Sequence, residues 1–120
     1  MSEQLWIEPV GEIVIARIRG MPSEGLLREC QERILQLVKD VGHGRILYDA
    51  LEMAPPPVEV PLSQWDLDKE IGATRLRRAI VVPNTRIAYL ARLAFGDEDY
   101  RVFYNDLAGA VTWLTGDPLR

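Results

Sequence analysis

The sequence predicts a single α/β domain spanning residues 1–120, built on a mixed, mostly parallel five-stranded sheet with four helices. Three observations predict it. Two short β-branched runs near the start are separated by a glycine-containing turn, which is a β-hairpin signature. After that hairpin, helical and strand patterns alternate to the end of the chain, as α-β units of a parallel sheet do. The length, 120 residues with 48% apolar and 27% charged side chains, suits one domain with a real core.

The elements follow in order. Leu5-Trp6-Ile7 reads as a short strand and Pro9-Val10-Gly11-Glu12 as the turn. Ile13 to Ile18 is the second strand of the hairpin, ended by Gly20-Met21-Pro22. Ser23 is placed to cap the first helix. Leu26, Leu27, Cys30, Ile34, Leu37, Val38 and Val41 recur at intervals of three and four, which puts them on one helical face. Gly42 and Gly44 end that helix. Arg45 to Asp49 is the third strand. Ala54 to Pro61 holds four prolines in eight residues and is expected to be an extended loop. Ser63-Gln64-Trp65-Asp66 begins a short helix that ends near Gly72. Ala79 to Val82 is a buried strand stopped by Pro83. Asn84 or Thr85 caps a helix reaching about Phe95. Arg101 to Tyr104 is the fifth strand. Asp106 caps a last apolar helix through Leu114, which Gly116 and Pro118 stop.

Right-handed crossovers between neighbouring strands would gather the helices on one face. On the second strand, Val14, Ala16 and Ile18 would then meet the helices. Ile13, Ile15, Arg17 and Arg19 would lie on an open face, where a homodimer contact could cover the isoleucines.

Charge and composition bound the function. The net charge is −4, against the basic surface that nucleic acid or anionic membrane requires. Cys30 is the only cysteine, which excludes an internal disulfide and fits a reducing compartment. No apolar run approaches membrane-spanning length, and the polar start lacks a signal-peptide pattern. The expectation is a cytoplasmic protein without integral membrane association and without nucleic acid.

Catalytic constellations are missing. His43, the only histidine, lies between two glycines and reads as structural, so no metal cluster forms around it. Cys30 falls on the apolar helix face and reads as a buried thiol. There is no nucleophile–base set and no glycine-rich phosphate loop. No catalytic residue, metal or cofactor is assigned, and an enzyme is not expected. Arg75, Arg77 and Arg78 form a basic cluster before the fourth strand, read as a solvated loop pairing with Asp66, Asp68 or Glu70, or as an anion contact. Trp6 and Trp65 can plug core edges or line a pocket. Trp113 reads as core or as an edge cover of the last helix.

Ligands of open parallel sheets favour the carboxyl ends of the strands. That edge gathers Tyr48, Asp49, Asn84, Tyr104 and Asn105, with Met53 and Trp65 from the proline loop. They are either a ligand-binding set for a small apolar molecule or ordinary strand-end caps. Ser63 is a helix N-cap at which a regulatory phosphate would also be favoured.

Three stretches carry a likeness to a known group. They are Ile46-Leu47-Tyr48-Asp49; Arg78-Ala79-Ile80-Val81-Val82-Pro83 with the helix Ile87-Ala88-Tyr89-Leu90-Ala91-Arg92; and Arg101-Val102-Phe103-Tyr104-Asn105-Asp106 with Ala110-Val111-Thr112-Trp113-Leu114. In these and in element order the chain resembles the SpoIIAA-like fold of STAS domains, the sulfate-transporter and anti-sigma-antagonist group. Within it, the chain is most similar to small bacterial STAS/CRAL-TRIO-related proteins, mostly of unknown function. The resemblance implies a non-enzymatic regulatory module that binds a protein partner, itself, or a small lipid-like ligand. Anti-sigma antagonists carry Asp-Ser-Ser-Gly after the third strand. Here the chain reads Asp49-Ala50-Leu51-Glu52, so phosphorylation at that place is not expected.

Overall fold

The structure, a computed structural model, describes residues 4–57, 76–95 and 100–116. Strands β1 (Leu5–Val10), β2 (Ile13–Ile18), β3 (Arg45–Asp49), β4 (Arg77–Val82) and β5 (Tyr100–Tyr104) form one sheet in the order of the chain. β1 and β2 are antiparallel, and every later pair is parallel. Three helices lie among the described residues: α1 (Glu24–Val41), α2 (Thr85–Phe95) and α3 (Leu107–Gly116). The helix expected from Ser63 to Gly72 lies outside them, with Ser63, Trp65 and Arg75.

The local rules held at the element ends. Ser23 Oγ accepts the Leu26 N–H at 3.0 Å, and Gly42 closes α1 with φ 81° and its N–H on the Val38 carbonyl. Asn84 Oδ1 accepts from Ile87 N at 3.0 Å. Asp106 Oδ1 accepts from Gly109 N at 2.9 Å. β1 runs on through Pro9 to Val10, past the expected turn, because β1 is an edge strand and edge strands tolerate proline. The hairpin turn is then two residues, Gly11-Glu12, with the left-handed φ of 58° on Gly11.

Side chains alternate across the sheet and divide the core in two. On the first face, Val14, Ala16, Ile18, Ile46, Tyr48, Ile80 and Val82 pack with Cys30, Ile34 and Val38 of α1 and Ile87 and Ala88 of α2. On the second face, Ile13, Leu47, Ala79 and Val81 pack with Ala110 and Leu114 of α3. The expectation that all helices share one face is therefore corrected. α1 and α2 connect parallel strands, and crossover handedness puts them on the same side. α3 follows the last strand and connects nothing, so that rule does not bind it. It covers the part of the second face over β3 and β4, and Ile13 is buried there.

The basic cluster is also corrected. Arg77 and Arg78 are the first two residues of β4, so they point to opposite faces. Arg78 is buried. Arg77 lies on the second face with its guanidinium 3.9 Å from the Trp113 ring centroid. Trp113 is half-buried, 6.0 Å from the Phe103 ring, and edges the second core without being enclosed by it.

Candidate functional site

The carboxyl edge of the sheet is built by four exits, the last of them Tyr104-Asn105 of β5. β2 leaves through Arg19-Gly20, β3 through Asp49-Ala50, and β4 through Pro83-Asn84. The β3 exit is tied back to the β2 exit. Gly20 N–H donates to the Glu52 carbonyl at 2.9 Å, and Ala54 N–H donates to the Gly20 carbonyl at 2.8 Å. Gly20 takes φ 69° to do so, a left-handed conformation that glycine adopts without penalty.

The sequence-selected residues separate by face and by role. Asp49 is buried on the second face. One carboxylate oxygen accepts from Arg17 Nε at 3.2 Å and the other from Leu51 N–H at 3.1 Å. Asn84 caps α2. Asn105 holds φ 53° and donates Nδ2–H to the Pro83 carbonyl at 3.4 Å; its own N–H reaches the Val82 carbonyl at 2.9 Å. Asn105 thus ties the β5 exit to the β4 exit one residue before the Asn84 cap, beside an exposed Tyr104. Asp49 belongs to a different place, and Trp65 lies outside the described residues.

A cavity of about 80 Å³ opens on the first face, between α1, α2 and the β3 exit loop. Its walls come from Ile18 and Ile80 of the sheet, Leu27 and Cys30 of α1, Leu90 of α2, and Met53 and Pro56 of the loop. Burial pushes the Cys30 thiol up to about 12, with Arg33 opposing weakly and Glu29 adding to it, so the sulfur is a protonated, apolar wall. Two polar residues also line the cavity. Tyr48 Oη donates to Gln31 Oε1 at 2.7 Å, and both side chains are buried. No polar atom of the lining faces the cavity.

Tyr48 belongs to the strand-end set that the sequence offers. Gln31 does not, although it lies four residues after Leu27 and three before Ile34, inside the apolar stripe of α1.

The second face carries another feature. Ala110 and Leu114 point α3 at the sheet, and Trp113 lies toward β4 and β5. Leu107 and Val111 lie on the opposite flank of the helix, toward β2. Both are exposed, at 39% and 38%. Beyond them on the same sheet face are half-buried Ile15 and exposed Trp6 and Val10. Arg17 lies 5.7 Å from the Trp6 ring centroid.

His43 accepts the Arg45 N–H through Nδ1 at 3.4 Å, a turn contact. Among the described residues, no group of three or more His, Cys, Asp or Glu side chains could hold a metal ion, and no helix is long and apolar enough to cross a membrane.

The fold matches solved structures. The anti-sigma factor antagonist SpoIIAA in its unphosphorylated form superposes with a TM-score of 0.57 at 14% identity, covering 81% of this chain and 86% of that one. The fold is SpoIIAA-like. An uncharacterised protein of the DUF3478 family from Shewanella loihica PV-4, itself described as SpoIIAA-like, superposes with a TM-score of 0.62 at 16% identity, over 95% of this chain and 98% of that one. No protein-family model matches the sequence, and no curated protein matches it. At these identities the likeness is one of fold, and function has to be sought in the sites.

Proposed function

We propose that the chain is a non-catalytic SpoIIAA-like regulatory module that works by binding a protein surface, either a partner or a second copy, through the strip beside α3. The observation that carries this reading is the set of exposed apolar side chains on the second face, where Trp6, Val10, Leu107 and Val111 are each 38–44% exposed and Glu8 lies between the first two. Grouped apolar exposure of this kind marks interaction surfaces more than scattered single residues do. Tryptophan beside arginine is the composition of interface anchors. SpoIIAA, with the same fold, is named for antagonising an anti-sigma factor, a task of protein contact. Sedimentation and native mass spectrometry of the chain, alone and with proteins captured from its host, test the proposal. A complex that Trp6→Asp and Val111→Asp each abolish, with folding intact, is expected. A monomer with no partner, or a complex indifferent to both substitutions, overturns it.

A second reading is favoured by the cavity on the first face, a carrier site for a small apolar or lipid-like ligand at the carboxyl edge of the strands. Asn84, Tyr104 and Asn105 remain proposed contacts for a ligand's polar part at the neighbouring exit, with Asp49 and Trp65 as further candidates. Ser63 stays a proposed phosphorylation site, and phosphopeptide mass spectrometry across growth conditions tests it.

A further inference from the structure

The carrier reading leaves open what chemistry the cavity accepts, and the lining answers it. Eleven of the thirteen lining residues are hydrocarbon or sulfur side chains. The remaining two, Gln31 and Tyr48, carry the only side-chain amide and hydroxyl there, and these bond to each other at 2.7 Å. A buried amide facing an apolar space would draw water into it. Turned onto the tyrosine hydroxyl, the amide presents its carbons to the cavity and its oxygen to the bond. The size limits the occupant as well. A cavity of 150 Å³ lined by Leu, Ile and Phe takes benzene. One of about 80 Å³ is too small for a ring and holds an alkyl segment of roughly three to four carbons. Among the described residues the cavity is not sealed, so a longer molecule can leave its remainder outside.

We propose that this cavity is a binding site for the end of an alkyl chain, and that the Tyr48–Gln31 hydrogen bond is what keeps its wall apolar. The proposal rests on the carrier reading and adds to it the class of ligand and the residues that set that class. A polar end group does not enter. Tyr48→Phe removes the hydroxyl, leaves the Gln31 carbonyl without that donor, and hydrates the site. Gln31→Leu combined with Tyr48→Phe makes the wall apolar again by a different route.

Methyl-resolved NMR of the full chain under xenon and under n-butane tests both parts. Shifts are expected at Ile18, Leu27, Ile80 and Leu90, with Leu47 and Leu114 on the other face unmoved. Ala91→Leu fills the cavity and abolishes the shifts, and Cys30→Leu, on another wall, does the same where the first variant folds poorly. Butane binds Tyr48→Phe about tenfold more weakly, the effect of losing one buried hydrogen bond from the wall, and the double variant restores it. Unchanged binding in Tyr48→Phe overturns the role of the hydrogen bond while the carrier reading stands. No response of the cavity methyls to either gas overturns both.

Discussion

Leu114→Ala is the substitution that most directly tests the two-faced core. Leu114 is fully buried, in a cluster with Ile13, Leu47, Ala79, Val81 and Ala110. Two of those neighbours, Ala79 and Ala110, are too small to swing into the space a truncated leucine leaves. The cavity then stays open, and the cost belongs in the upper part of the leucine-to-alanine range, about 3–5 kcal/mol. A domain of this size holds about 5–15 kcal/mol in total, so most of the margin is at stake. Each kcal/mol moves the midpoint of a chain this long by about 3–6 °C, which makes the expected drop about 10–30 °C. Urea unfolding followed by tryptophan fluorescence measures it, with the slope unchanged so that the midpoint reports stability alone. Val111→Ala, three residues away on the same helix and 38% exposed, is the control and stays within about 0.5–1 kcal/mol. A Leu114→Ala cost under about 1 kcal/mol, no larger than the control, refutes the placement of α3 on the second face.

Cys30 is expected to resist a chromogenic disulfide reagent at pH 8 until the chain unfolds, because its thiol is buried and pushed up to about 12. The same shift fixes a pH dependence. In the unfolded chain the thiol ionises near 8.5, so its contribution is complete below about that pH and declines as pH rises toward the folded value. Stability should fall more steeply with pH in that window for the natural chain than for Cys30→Val, and equal slopes would count against the buried position. At α3, Asp106→Ala should cost about 1 kcal/mol through loss of the cap. Gly109→Ala tests the same contact from the other side. The added methyl meets the Asp106 carboxylate, so the helix-propensity gain of about 1 kcal/mol is offset in the natural chain. It should appear in full once Asp106 is already alanine, as a double-mutant cycle of thermal melts would show.

The periodic signals carried most of the fold. Cys30, Ile34 and Val38 of α1 reach the core as their spacing indicates, and Ser23, Asn84 and Asp106 cap the helices whose starts they mark. What escaped was information that a strand pattern does not contain. The placement of α3 is set by packing against Leu47, Ala79 and Val81, and no connection rule reaches past the last strand. Arg77 and Arg78 look like a loop cluster because charge is a poor strand former. Their alternation makes one of them buried and sets the other against Trp113. Gln31 was hidden by its own polarity, which obscures a place in the apolar stripe where Tyr48, seventeen residues on in the next strand, donates to its side-chain oxygen.

The two faces are joined at one residue. Asp49 ends β3 and sits on the second face, where Arg17 from β2 meets one oxygen. Its other oxygen holds Leu51 N–H, the first step of the loop that crosses the edge of the sheet. Two residues later Met53 bridges to Gly20, and Pro56 follows. Met53 and Pro56 form the outer wall of the first-face cavity. Both carboxylate oxygens are therefore committed to geometry, one tying β2 to β3 and one setting the direction of the loop. The strip beside α3 includes Arg17's neighbour Trp6, so a partner seated there would press on the Arg17 side of this same ion pair. The ion pair thus lies between the proposed protein contact on one face and the wall of the proposed alkyl site on the other.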